Sequence, residues 1–241
     1  MAEAVLVADA VTRLFDENAG VRGVDLDVRE GEVHALVGLN GAGKSTLMRL
    51  LLGMLRPQSG TVRLAGHDLR SAPLALWATV GHLVEYPLAY PELGARANLV
   101  LSARLHGVPP RGVAGVVDGV LDEFDLRQFT KRRAGRLSLG NRQRLGLASA
   151  LQHDPKLIVL DEPTNALDPR GVILLRESLR RRADAGAAVL VSSHHLDEVA
   201  RIADRITVLN AGRVVGSLDP RGVEIERAFF ELVLSDDLVR A

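Results

Sequence analysis

The sequence predicts an α/β fold: a core sheet carrying a glycine-rich loop, joined by an antiparallel β subdomain and a helical subdomain. Three observations predict it. Apolar strand-like runs alternate with helical patterns in the final third, the mark of a mainly parallel sheet. A glycine cluster at 38–43 stands between a buried apolar run and a helical pattern. The middle of the chain, roughly residues 75–153, changes to helical periodicity. The expected organisation is one domain over residues 1–241, with 75–153 as a helical subdomain inserted in the α/β core.

The elements follow in order. Ala4 to Leu14 and Gly23 to Val28 alternate apolar and polar residues, as half-buried strands do, and Glu30-Gly31 makes a turn. Val33 to Val37 is a short apolar run, the kind a buried strand gives. After the glycine cluster, Leu47, Leu50, Leu51 and Met54 share one helical face, and Pro57 stops that helix. Thr61 to Leu64 and Asp68-Leu69 flank Gly66 as a hairpin. The helical region from about 94 to 153 breaks at Pro109-Pro110 and near Gly135. Leu157 to Leu160 is a buried strand, Gly171 to Ala183 a helix and Ala188 to Val191 a strand. Leu196 to Ala203 is a helix, Arg205 to Leu209 a strand, and a short terminal helix begins near Val223. Arg180-Arg181-Arg182 ends a helix, where cations complement the dipole, and reads as a solvated face.

Composition narrows the chemistry. The chain has 241 residues, 47% hydrophobic and 25% charged, enough for a sizeable core. Aromatics are 3%, so that core is aliphatic. Thirty basic and thirty acidic side chains cancel, which disfavours nucleic acid as a partner. The absence of cysteine excludes disulfides, zinc-thiolate sites, iron–sulfur ligation and thiol catalysis, and agrees with a reducing cytosol. The longest uncharged stretch, Ser71 to Val84, holds Pro73 and is shorter than the roughly 18 residues a membrane helix needs. Residues 1–10 carry Glu3 and Asp9 and no basic region, so no secretory signal is expected.

Two motifs point to nucleotide hydrolysis. Gly38-Leu39-Asn40-Gly41-Ala42-Gly43-Lys44-Ser45 fits the phosphate loop (Walker A) pattern G-x-x-x-x-G-K-[ST], and Thr46 follows it. Such glycines let backbone N–H groups wrap an anion at a helix N-terminus. Lys44 is placed to neutralise the β- and γ-phosphates, and Ser45 to put its hydroxyl on Mg²⁺. Leu157 to Leu160 then delivers Asp161 and Glu162 from the end of a buried strand. Asp161 is placed to hold Mg²⁺ through water, and Glu162 to orient or deprotonate the attacking water.

The segment Leu137-Ser138-Leu139-Gly140-Asn141-Arg142-Gln143-Arg144 distinguishes among nucleotide hydrolases. Here the chain resembles the ATP-binding subunits of ABC transporters, whose signature is Leu-Ser-Gly-Gly-Gln. Leu139 and Asn141 depart from it, while Ser138 and Gly140 keep their places. The resemblance runs from about residue 5 to 217, with the motifs in the family's order. It implies that Ser138 and Gly140 contact the γ-phosphate of ATP held by a second subunit. Read from the residues alone, Ser138 starts an amphipathic helix, a natural anion site.

The resemblance assigns further residues. Asp168, in Asn165-Ala166-Leu167-Asp168, matches the loop that couples the two ATP sites; by itself Asp168-Pro169 is a helix start. His194, after Ser192-Ser193, matches the switch histidine on the γ-phosphate, leaving His195 solvated or capping. Phe15 stands where an aromatic stacks on adenine, its rival role being a core phenylalanine. Glu85 occupies the place usually held by a glutamine that reaches Mg²⁺ and the attacking water, its rival role being an exposed loop acid.

The implied fold is therefore a P-loop NTPase of ABC type. The implied function is ATP hydrolysis, with Mg²⁺, powering transport through a separate membrane permease. Ser138-Leu139-Gly140 and Glu85 resemble the branch that exports drugs, antimicrobial peptides or lipids. The implied assembly is a homodimer formed on ATP binding, or a pair with a second ATPase subunit. The implied location is cytoplasmic, peripheral on the inner membrane face through the permease. Tyr86, Pro87, Leu88 and Tyr90 form an apolar, aromatic cluster that either meets the permease or packs into the subdomain core. The rival function is a non-transport ABC ATPase acting in DNA repair or on the ribosome, but the chain has neither a second ATPase unit nor a long coiled-coil insert. A P-loop kinase or GTPase is disfavoured by the signature segment and by the lack of a guanine-reading Asn-Lys-x-Asp.

Overall fold

A computed structural model describes residues 3–16 and 19–240. In chain order the elements are β1 (Ala4–Leu14), β2 (Gly20–Arg29), β3 (Val33–Val37), α1 (Lys44–Leu51), β4 (Ser59–Leu64) and β5 (His67–Asp68). There follow α2 (Leu74–Trp77), β6 (Val80–Leu83), α3 (Ala95–Leu105), α4 (Val113–Glu123), α5 (Leu139–Leu151) and β7 (Leu157–Leu160). The chain closes with α6 (Pro169–Asp184), β8 (Ala188–Ser193), α7 (Leu196–Ala200), β9 (Arg205–Asn210), β10 (Arg213–Leu218) and α8 (Ile225–Arg240). It divides into two compact units: Met1–Ala72 with Ala188–Ala241, and Pro73–Ala187. Residues 75–153 fall inside the second unit, which also takes in β7 and α6. Residues 1, 2, 17, 18 and 241 of the expected single domain lie outside the described residues.

The first unit contains an antiparallel sheet in the order β2-β1-β4-β5. Leu6, Ala8 and Val11 of β1 are buried, and pairing shifts register between Ala8 and Val11, where Ala10 takes φ 46°. The expected hairpin is present, with Arg63 opposite Asp68. In the other sheet of this unit β3 lies between β8 and β9, parallel to both, and β10 runs antiparallel beside β9. All of β3 is buried, which is why it reads as an apolar run rather than an alternating one. Its one polar residue, His34, is satisfied on both ring nitrogens. Nδ1 lies 2.9 Å from the Asp27 carbonyl and Nε2 2.8 Å from Thr207 Oγ1. Burial, reinforced by the Arg205 charge, pushes the His34 pKa down to about 4.

In the second unit β6 and β7 pair in parallel, Val80 opposite Leu157 and Leu83 opposite Leu160. Helices α3, α4 and α5 pack through Leu99, Val117, Leu121, Leu145 and Leu151, an aliphatic core as the composition requires.

Several elements depart from the sequence pattern. The first helix ends at Leu51, not at Pro57. Gly53, at φ 67°, stops it, with Met54 N–H donating to the Arg49 carbonyl, and Met54 is left exposed. α7 ends at Ala200 rather than Ala203. The terminal helix is not short: α8 has 16 residues and packs Phe229 and Val233 inward. β6 and β10 lie in segments where no strand is expected. Arg182 is not on a solvated face. It is 7% exposed and donates to Glu123 (2.6 Å), Ser178 Oγ (2.8 Å) and the Leu151 carbonyl (3.1 Å).

Candidate active site

In the first unit, β3 ends at Val37 and the chain turns through 38–43 into α1. Gly43 is the residue before the helix, at φ 103°, a left-handed conformation that side chains rarely adopt. The residue before α1, Gly43, has no side chain to cap it and no acid lies in the first turn, so the helix start brings no carboxylate of its own to its leading amides. Leu39, Asn40 and Gly41 are exposed, while Gly38 and Ala42 are buried. Lys44, 6% exposed, folds back over the loop. Its Nζ donates to the Gly38 carbonyl at 2.7 Å and to that of Leu39 at 3.4 Å. An ammonium held on loop carbonyls, beside uncapped helix amides, is an arrangement suited to a phosphate chain. Ser45 and Thr46 occupy the first turn of α1, half-buried.

The β1–β2 turn borders this loop. Leu14 pairs with Gly20, and the Gly20 carbonyl lies 3.0 Å from where a Cβ on Gly43 would stand. Phe15 sits at that turn, 53% exposed, with the Arg13 guanidinium 5.4 Å from its ring centre. It is not a core phenylalanine, and its ring is available to a flat partner. At the end of β8, Ser192 and Ser193 are buried, and His194 and His195 are exposed with ring centres 3.9 Å apart. His195 is the residue preceding α7, and its N–H donates to Ser193 Oγ at 2.9 Å.

The second unit carries the carboxylates. Because β6 and β7 run parallel in register, their following residues leave from the same end. The Asp161 N–H donates to the Leu83 carbonyl at 2.8 Å, and Glu85 lies two residues beyond Leu83. Asp161 and Glu162 are half-buried and Glu85 is exposed. Glu162 takes φ 46° and Glu85 φ 74°, both uncommon for residues with side chains. Among the described residues no three His, Asp or Glu side chains converge into a metal cage. Ser45 in the first unit offers a hydroxyl and Asp161 in the second a carboxylate, each an oxygen donor of the kind Mg²⁺ takes beside waters and substrate phosphates.

Ser138 precedes α5 and accepts from the Asn141 N–H at 3.3 Å. Leu139 is exposed, so its bulk points into solvent rather than across the helix start. Gly140 is held by close packing, since a Cβ there would meet the Ala166 carbonyl at 2.6 Å. Asp168 caps α6, accepting from the Gly171 N–H at 2.8 Å, and pairs with Arg144. The Gly171 N–H and then the Arg144 guanidinium hold its carboxyl below the usual carboxylate range. Arg144 and Gln143 are contacts that sequence reasoning passes over, although both stand within the signature segment.

The loop after Glu85 is braced from two helices. Pro87 lies against α5 at Gly146, where a Cβ would fall 2.6 Å from the proline ring. Asn98 of α3 accepts from the Tyr90 N–H (2.7 Å) and donates to its carbonyl (3.1 Å). Tyr86 and Leu88, each 80% exposed, and Tyr90 are left outward, so this cluster does not pack into the core. An open, mainly apolar groove lies nearby in sequence, lined by Leu93, Ala97, Val100 and Leu101 with Arg104 and Lys131.

The loop on α1 and the acidic strand end define a P-loop nucleotide hydrolase. The family model described as ABC transporter matches residues 21–165. The chain is 36% identical over 238 residues to the daunorubicin resistance ATP-binding protein DrrA3 of Streptomyces coeruleorubidus, covering 98% of this chain and 75% of that protein. It is 33% identical to the bacitracin transport ATP-binding protein BcrA of Bacillus licheniformis, covering 94% and 74%. Among solved structures, an ATP-binding subunit of an ABC transporter superposes with a TM-score of 0.84 at 28% identity, over 98% of both chains. The chain belongs to the ABC transporter family, as an ATP-binding subunit that hydrolyses ATP. No helix among the described residues is long and apolar enough to cross a membrane.

Proposed function

We propose that this subunit powers export of a drug, peptide or lipid through a separate membrane permease, docking peripherally on the inner membrane face. Relatives named for daunorubicin resistance and bacitracin transport support export over the non-transport alternative. The observation that carries ATP handling is Lys44 folded over residues 38–43 at an uncapped helix start. Phe15 stacks on adenine. The loop from Gly38 through Asn40, Gly41, Ala42 and Gly43 to Thr46 holds the phosphates. Ser45 and Asp161, with Glu85, hold Mg²⁺, which when bound offsets charge on the β- and γ-phosphates. Glu162 orients and deprotonates the attacking water, and His194 contacts the γ-phosphate.

Each ATP is completed by a second subunit, a copy of this chain or a related one, whose Ser138 and Gly140 meet the γ-phosphate and whose Asp168 couples the two sites. The exposed Tyr86, Leu88 and Tyr90, on a braced backbone, form the permease contact. Two measurements test this reading. Light scattering of the Glu162→Gln protein should show a monomer without nucleotide and a dimer with ATP. Wild type should co-purify with a membrane protein of several hydrophobic spans. An ATP-bound protein that stays monomeric even with its membrane partner would contradict the shared site.

A further inference from the structure

Three consecutive contacts from one face of α5 grip the segment that follows β7. Gly140 lies so close to the Ala166 carbonyl that a Cβ would stand 2.6 Å from it. Gln143 Nε2 donates to the Pro163 carbonyl at 3.1 Å. Arg144 donates to Asp168, and its side chain is 9% exposed against 60% for its partner. Residues 140, 143 and 144 are i, i+3 and i+4, so they share a helix face and act together. The gripped segment needs holding. Glu162 and Ala166 both take left-handed φ, 46° and 66°, with turn hydrogen bonds from the Asn165 N–H to the Glu162 carbonyl and from the Leu167 N–H to the Thr164 carbonyl. Non-glycine residues persist in that conformation where surrounding structure over-determines them.

We propose that Arg144, assisted by Gln143, is a positioning residue for ATP hydrolysis. It locks the signature helix and the segment 162–168 into one body, so that Ser138 and Glu162 move together. This rests on the roles proposed above for Ser138 and Glu162. Arg144 touches neither nucleotide nor water in this account and acts through the backbone that carries Glu162. A displacement of about 1 Å at a reacting group is enough to cost roughly a hundredfold in rate. Loosening the grip therefore lowers turnover and leaves the binding of ATP to the Lys44 loop intact.

The test uses the full chain with four variants: Arg144→Met, Arg144→Lys, Asp168→Asn and the double Arg144→Met/Asp168→Asn. Asparagine is as good a helix cap as aspartate, so Asp168→Asn removes the charge and keeps the α6 start. Arg144→Met should lower kcat by about ten- to a hundredfold with ATP affinity within about twofold of wild type. Arg144→Lys should recover part of that loss, since it keeps the charge but not the planar fork. The double variant should be no slower than the worse single variant, because both break one contact. If Arg144→Met does not fold, Asp168→Asn and Arg144→Lys carry the same kcat-against-affinity comparison. Unchanged kcat in a folded Arg144→Met protein overturns the proposal. So does independent, multiplicative loss in the double variant, which would mean that Asp168 acts apart from Arg144. Glu162→Gln in parallel separates the two levels. Near-normal hydrolysis there overturns the underlying roles, whereas lost hydrolysis there with normal Arg144→Met overturns only the positioning role.

Discussion

Acid should weaken the first unit through His34, and the sign and size follow from its surroundings. The ring is fully paired while neutral, on the Asp27 carbonyl and Thr207 Oγ1, and is packed within a wholly buried strand. Arg205 opposes a charge there, while Asp27 favours one, and Glu32 lies 3.7 Å from Nδ1. The net result is a folded pKa of about 4 against 6.5 for a free histidine. The unfolded chain therefore binds the proton first as pH falls. Stability from neutral His34 is complete above pH 6.5 and is lost progressively down to pH 4. Linkage puts the loss at about 2 kcal/mol by pH 5 and about 3 kcal/mol by pH 4, relative to pH 7. The perturbation is His34→Gln, read by urea denaturation of both proteins at pH 7, 6 and 5. At pH 7 the variant should be less stable by about 1–3 kcal/mol, because glutamine cannot reproduce both contacts. That gap should narrow by about 2 kcal/mol at pH 5. His153, also lowered to about 4 by burial, is common to both proteins and cancels in the difference. A gap that stays constant between pH 7 and pH 5 would refute the reasoning.

Three further outcomes are expected. Glu123→Gln removes the nearer carboxylate of the buried Arg182 guanidinium, leaving Asp154 at 3.8 Å, and should destabilise the chain by about 3 kcal/mol in urea titration, with a change below 0.5 kcal/mol counting against the pairing. Ser138→Ala removes the acceptor for the Asn141 N–H and should cost about 1 kcal/mol of stability. It should also abolish ATP-driven dimerisation in the Glu162→Gln background, which light scattering reads. Tyr86→Asp combined with Leu88→Asp should leave the fold and basal ATPase activity intact and prevent co-sedimentation with membranes that hold the permease. Continued co-sedimentation would move the contact surface elsewhere.

The parts of the fold legible in the sequence are those with a local cause. The run at 33–37, the glycine turn at 38–43 and the acidic end of 157–162 each carry their own pattern, so strand, loop and helix follow without tertiary knowledge. β6 is different. Its four residues, Val80 to Leu83, become a strand because β7 lies beside them in register, and nothing in an uncharged stretch with no alternation announces that pairing. Arg182 is similar. A run of three arginines at a helix end looks solvated, and tertiary partners, Glu123 of α4 and the Leu151 carbonyl of α5, turn one of them inward. In α1 the proline at 57 draws attention from Gly53, whose left-handed turn ends the helix earlier. Around the site, Ser138 and Asp168 are readable as helix starts from their residue types. The grip of Gln143 and Arg144 on residues 163–168 joins segments about twenty residues apart and has no local sign.

In the proposed function Lys44 binds the nucleotide and Glu162 drives its hydrolysis. One paired measurement tests it most directly: ATP affinity and ATP turnover for wild type, Lys44→Ala and Glu162→Gln, in parallel. Glu162→Gln should bind ATP as wild type does and lose about 10²–10⁴-fold in turnover, the scale for a positioned base. Lys44→Ala should lose affinity itself. Near-normal hydrolysis by Glu162→Gln, or undiminished ATP binding by Lys44→Ala, would contradict the account.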